Sequence, residues 1–199
     1  MSTHHFAEQV QGVRDEEILK AALKIFGDRG QLMRIEDVTV AVGIGKGTLY
    51  RHYESRLQLL RAALAYGVRE LQARAVAARD AVRDRAGGRA DELTAVIREL
   101  AEMNARHDAG SPAVLCQLAM CERWPEPLDE TVEPTSALDP LIAQWQADGL
   151  LDPSEPPAWM TTIVFGAINS PLAASAGNGQ VGELATRVSA LMQRAFPAR

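Results

Sequence analysis

The stretch Val38-Thr-Val-Ala-Val-Gly-Ile-Gly-Lys-Gly-Thr-Leu-Tyr-Arg-His-Tyr53 decides how this chain reads. Gly43 can take the left-handed conformation that ends a helix, and Ile44 supplies the apolar residue that buries the turn. The spacing predicts one short helix over about 35–42 and a second over about 46–52. Two short helices crossing steeply about a tight turn make a helix-turn-helix. Val38, Ala41 and Val42 are expected to face the core from the first helix, and Leu49 and Tyr53 from the second. Lys46, Gly47, Thr48, Tyr50, Arg51 and His52 remain on the outer side. Those groups suit a DNA groove. Arginine can read guanine, and threonine can meet a thymine methyl or a phosphate. Gly47 lets the backbone approach the phosphates, and the helix N-terminus adds amide donors.

The flanks support this reading. Asp15-Glu16-Glu17 puts acid at a helix start, and Ile18, Ala21, Ala22, Ile25 and Phe26 recur at helical spacing until Gly27 and Gly30. Ser55 reads as the cap of a long helix to about Arg85, striped by Leu57, Leu60, Leu64, Val68 and Leu71. Residues 1–13 read as a flexible arm, 14–60 as the helix-turn-helix domain, and 61–199 as a ligand-binding and dimerisation domain.

Composition agrees with an all-α chain: 47% of residues are apolar, only 5% are aromatic, and Ala and Leu dominate. No segment shows the period-two alternation of a half-buried strand. The net charge of −5 argues against a chain that coats nucleic acid along its whole length. The charge is lopsided, however. Residues 13–60 hold eight Lys/Arg against seven Asp/Glu, whereas the rest holds 13 against 19. No run approaches the roughly 18 apolar residues of a membrane span, and the N-terminus has no apolar signal region. Two cysteines, Cys116 and Cys121, in a chain that needs no disulfide point to a reducing compartment. A soluble cytoplasmic protein is the expectation.

Beyond residue 85 the pattern predicts helices over about 90–107 (Leu93, Val96, Ile97, Leu100 and Met103 inward), from Ser111-Pro112 to about Trp124, and from Asp139 to Gly149. Two more are expected over about 156–175 and 180–196. Pro125, Pro127 and Pro134 make 125–137 irregular, and Pro171 should kink or shorten the helix that contains it. There is no Gly-rich phosphate loop, no nucleophile elbow and no metal-spaced His/Cys cluster. No enzyme, metal or cofactor is expected.

Three segments resemble the tetracycline-repressor (TetR) family of regulators. Ile18-Leu-Lys-Ala-Ala-Leu-Lys-Ile-Phe-Gly-Asp-Arg-Gly30 is similar to that family's first helix. Gly43-Ile-Gly-Lys-Gly-Thr-Leu-Tyr-Arg-His-Tyr53 is similar to its turn and recognition helix, and Ser55-Arg-Leu-Gln-Leu-Leu60 to the start of its fourth helix. The resemblance covers about 14–64. It implies an N-terminal three-helix domain joined by a long helix to a C-terminal bundle, about nine helices in all. It also implies DNA roles for Lys46, Gly47, Thr48, Tyr50 and His52. Three positions depart from the family pattern. Gly45 stands where a Ser cap is usual, at a cost of a few tenths of a kcal/mol. Met33-Arg34 replaces the usual Thr or Ser, leaving Arg34 as a phosphate contact. Arg56 replaces a common Lys and keeps its charge for DNA.

The resemblance further implies a homodimer through the last two helices, with Ile163, Val164, Ile168 and Leu172 facing Leu184, Val188, Leu191 and Met192. A dimer reads a palindromic operator with two recognition helices. A small apolar or amphipathic effector would enter the bundle over 90–175 and release a repressor from DNA. Met103, His107, Cys116, Met120, Trp124, Trp145, Trp159 and Phe165 are the candidate pocket residues. Read by themselves, the apolar members are core and His107 is a helix-end histidine. An activator rather than a repressor, or a helical small-molecule carrier that has lost DNA binding, is the alternative.

Overall fold

Ser55 opens the helix that organises the molecule: its hydroxyl accepts a hydrogen bond from the Gln58 amide at 3.1 Å. The computed structural model describes residues 3–128, 132–170 and 180–198. Among them nine α-helices run in order: α1 (Thr3–Arg29), α2 (Ile35–Val42), α3 (Lys46–His52), α4 (Arg56–Arg83), α5 (Arg89–Ala105), α6 (Pro112–Cys121), α7 (Asp139–Ala147), α8 (Pro157–Ile168) and α9 (Val181–Ala195). No strand is present among the described residues; a single antiparallel bridge joins Leu151 to Pro197. The all-α reading holds.

At ~1.5 Å per residue α4 is about 42 Å long. It packs against α1, α5 and α6, so one apolar core runs from the helix-turn-helix into the bundle. Leu60, Leu64, Val68 and Leu71 are fully buried on α4. Leu59 is buried too, whereas the predicted Leu57 is only half-buried. Gly67 marks the closest approach. A Cβ there would lie 2.5 Å from Leu115 on α6 and 3.0 Å from Leu23 on α1. A side chain here would push Leu115 and Leu23 aside, so the glycine lets the three helices close at this level.

Further along, Asn104 on α5 ties three helices together. Its Nδ2 donates to the Ile168 carbonyl at 3.2 Å and to Asn169 Oδ1 at 2.7 Å, and its Oδ1 accepts from the Ala113 amide at 3.0 Å. Helix α9 lies along α5, where the Thr94 hydroxyl donates to Ser189 Oγ at 2.8 Å.

The expected boundaries change in four places. Residues 3–13 are not an arm but the opening of α1, a segment with helix formers and no proline to interrupt it. Helix α6 ends at Cys121, because Glu122 turns extended and Pro125 follows. Helix α8 ends at Ile168 rather than near 175. Pro171 and Leu172 lie outside the described residues. Ala41 is exposed, and Thr39 is buried on α2 in its place.

Candidate nucleic-acid interface

Backbone chemistry sets the α2–α3 geometry. The Arg34 amide donates to Asp37 Oδ2 at 2.9 Å, closing the start of α2, and Arg29 braces the same carboxylate at 2.7 Å. At the other end Gly43 sits at φ 71°, the left-handed region, and the Ile44 amide returns to the Thr39 carbonyl at 3.0 Å. Gly45 is extended, and its carbonyl receives the Thr48 and Leu49 amides at 3.0 and 3.2 Å. No side chain caps α3, so the absent serine leaves its first amides unshielded. Val38 and Leu49 are fully buried beneath the turn, with Ile44 and Tyr53 packed against them.

This framework leaves Lys46, Gly47, Tyr50 and Arg51 exposed on α3, with Thr48 and His52 half-buried beside them. Arg34 is exposed at the start of α2. Six of the eight predicted DNA-facing residues thus share α3, and Arg34 stands at the start of α2. Several are already engaged. Lys46 Nζ lies 2.5 Å from Glu36 Oε1. The hydrogen bond with Glu36, then its charge, raises the lysine's affinity for its proton, and the carboxyl is correspondingly lowered. Arg51 donates to Thr48 Oγ1 at 3.2 Å. His52 Nδ1 lies 3.1 Å from Asp15 Oδ1, a partner on α1 that local spacing could not reveal.

Arg56 is the exception. Expected on the DNA face, it turns inward to the bundle. Its guanidinium donates to both oxygens of Glu122, at 3.0 and 2.9 Å, and to the Met33 carbonyl at 3.0 Å. The side chain of Glu122 is only 9% exposed. Gln31 reaches the Cys121 carbonyl beside it. The end of α6 is thus joined to the helix-turn-helix by a bidentate ion pair, geometry in which an arginine differs from a lysine.

The predicted effector residues do not converge. Trp145 is buried with its indole N–H donating to Glu92, and Met103 and Phe165 are core. Met120 is 84% exposed and Trp159 53% exposed, on outward faces of α6 and α8. Trp124 bonds back to the Ala119 carbonyl at 3.0 Å. Burial, chiefly, pushes the Cys116 thiol up to about 11, which makes it inert. Of these candidates only His107 borders a cavity of about 340 Å³ where α1 meets α5, α6, α8 and α9. Leu23, Val114, Ile168 and Val181 contribute apolar walls to it, and Lys24 and Asp28 contribute charge. Most of the cavity's lining lies within the expected 90–175 bundle, and α1 closes it with a wall that the sequence pattern missed. Among the described residues no cluster of His, Cys, Asp and Glu is arranged to hold a metal, and no helix is long and apolar enough to cross a membrane.

Comparison with known proteins follows the same line. Residues 18–63 match the family model described as bacterial regulatory proteins, tetR family. Solved structures share the fold over nearly the whole chain. A TetR family transcription regulator from Marinobacter aquaeolei VT8 has a TM-score of 0.71 at 20% identity, covering 96% of this chain and 100% of that one. A TetR transcriptional regulator from Streptomyces coelicolor has a TM-score of 0.56 at 22% identity, covering 93% and 99%. A TetR family transcriptional regulator from Thermus thermophilus has a TM-score of 0.60 at 18% identity, covering 89% and 94%. No curated protein sequence matches the chain at a significant level. Residues 18–63, the helix-turn-helix with its flanking helices, thus match the tetR family model, and the chain as a whole shares the fold of TetR family transcription regulators.

Proposed function

We propose that this protein is a DNA-binding transcriptional regulator, a repressor that binds a palindromic operator as a homodimer and is released by a small amphipathic effector. The observation that carries the DNA half is the outward set on α3, Lys46, Gly47, Thr48, Tyr50, Arg51 and His52, held on a buried turn. Arg34 adds a phosphate contact from the start of α2. A recognition helix of seven residues reads few base pairs, so a dimer is needed for useful specificity.

Dimerisation is assigned to α8 and α9. Val164, Ile168, Val188 and Met192 are spent on the protomer's own core, which moves the contact to the residues left outside: Trp159, Ile163, Leu184 and Leu191. The effector is assigned to the cavity at the α1 junction. Apolar walls and a rim of Lys24, Asp28 and His107 suit an amphipathic molecule with its polar head at the opening. Such a molecule releases DNA only if it prefers the conformation that binds DNA less well.

Gel-shift titration on the DNA upstream of the regulator's own gene tests the reading. Sequence-selective retardation is expected for the wild type, with loss in Tyr50→Ala and Thr48→Ala. Equal binding to random DNA by all three proteins overturns it, and would leave a helical carrier as the better description.

A further inference from the structure

Asp15, near the start of the described side chains on α1, carries an oxygen that no hydrogen bond satisfies. Oδ1 is sealed from solvent and accepts no well-aligned hydrogen bond. Sealed polar atoms of this kind are few in native proteins, and each calls for a partner. The nearest candidate is His52 Nδ1, 3.1 Å away on the last turn of the recognition helix. Tyr53, the next residue, registers the same carboxylate. Burial, then the negative charge of Asp15, pushes its phenol above the ordinary value.

We propose that Asp15 is a positioning residue for DNA binding: its carboxylate fixes the Nδ1–H of His52, so that the ring's other nitrogen, Nε2, is presented to a backbone phosphate. The chemistry follows from imidazole. A neutral ring that gives its one proton to Asp15 offers the phosphate only the Nε2 lone pair, which repels it. A protonated ring donates from both nitrogens, bridging carboxylate and phosphate with two charge-assisted hydrogen bonds. The bridging ring carries a proton on each nitrogen, and no bond other than an N–H is made. Imidazole changes charge between about pH 5 and 8, so affinity falls as pH rises through that range.

Among the described side chains, several neighbouring ionisable groups have partners of their own. On α1, Glu16 binds Lys20 at 2.5 Å and the Tyr66 hydroxyl of α4 at 3.2 Å. On α3, Lys46 is held by Glu36 of α2, and Arg51 by Thr48. At the start of α4, Arg56 is held by Glu122. His52 is left facing Asp15.

The inference rests on α3 being the reading surface, and the test separates the two. The full-length protein is titrated by fluorescence anisotropy into a duplex of its upstream DNA at about pH 6, 7 and 8. The wild type is expected to bind about tenfold more tightly at the acid end, the size of one charge-assisted hydrogen bond. His52→Gln is expected to lose that pH dependence. Asp15→Asn keeps the shape but not the charge. It is expected to lose about tenfold near pH 7 and less than that near pH 6. Asp15→Glu is expected to restore the wild-type profile in part. An Asp15→Asn protein with the wild-type profile, or one weakened equally at every pH, overturns the proposal. The second result would make Asp15 a brace between α1 and α3 only. If Tyr50→Ala binds as tightly as the wild type at every pH, the reading surface itself has failed.

Discussion

Both ends of α4 are tied by an arginine–glutamate pair, and the two ties are built differently. At the C-terminal end Arg83 holds Glu92 through both oxygens, at 3.1 and 3.0 Å. Arg89 adds a bond at 3.1 Å and the Trp145 indole another at 3.2 Å. Glu92 is 0% exposed. At the N-terminal end Arg56 and Glu122 make one bidentate pair, with the arginine side chain 30% exposed. The first tie joins α4, α5 and α7 within the bundle. The second joins the helix-turn-helix to α6. The difference lies in the number of donors, since Glu122 is itself only 9% exposed and Arg83 is no less exposed than Arg56. Glu92 is a fixture held by three side chains, whereas Glu122 is a joint held by a single guanidinium.

The largest expected effect therefore lies at Glu92. Glu92→Ala leaves the buried indole N–H of Trp145 without its acceptor and frees Arg83 and Arg89 to turn to water, and should cost roughly 2–3 kcal/mol, read as a fall in the midpoint of chemical denaturation. A loss below about 1 kcal/mol would erase the contrast between the two ties. The same group predicts a pH effect. Burial alone would raise its carboxyl, but hydrogen bonds from Arg83 and Trp145 and the nearby arginine charges outweigh that and lower it. A lowered carboxyl stabilises the fold above its unfolded value, near 4.3, and that contribution drains away as pH falls through the folded value. Glu92→Gln should flatten this acid limb in thermal melts.

Next comes the joint. Glu122→Gln should cost only about 1 kcal/mol, because Arg56 can turn to water. Yet it should alter operator affinity more than any Glu92 variant that still folds, since Glu122 bears on the reading domain. Anisotropy titrations of the two variants side by side measure the difference. The smallest effect belongs to the exposed pair Lys46–Glu36. Glu36→Gln should leave the melting temperature unchanged and tighten DNA binding by about threefold, by freeing a cation and removing a charge that faces the phosphates. Weaker binding in that variant would mean that Glu36 orients Lys46 for its contact.

How much of this was legible depended on how local the cause was. The bounds of α2 and α3 could be read to the residue because Gly43 and Gly45 punctuate them through backbone conformation alone. Ser55 announced α4 in the same way. The ties could not be read. Glu122 lies 66 residues from Arg56, and Asp15 lies on a different helix from His52, so no periodicity connects them. The aromatic residues misled for the opposite reason. Trp145, Trp159 and Phe165 fit one idea of a pocket, but their burial is set by which way each helix faces, and the fold turned them to different places. The cavity's α1 wall was hidden because Leu23 and Lys24 belong to a helix already assigned to the other domain.

Gly47 carries one consequence further. A side chain added there would meet nothing within 4 Å in the protein itself. The free regulator has no use for the bareness of that position; only a molecule lying against α3 would. Residue 47 is thus a place where occupancy and folding are uncoupled. An alanine should fold at least as firmly as the glycine and register its presence solely in the complex. It would give the experimenter a silent variant, intact in fold and altered only where another molecule lies against α3.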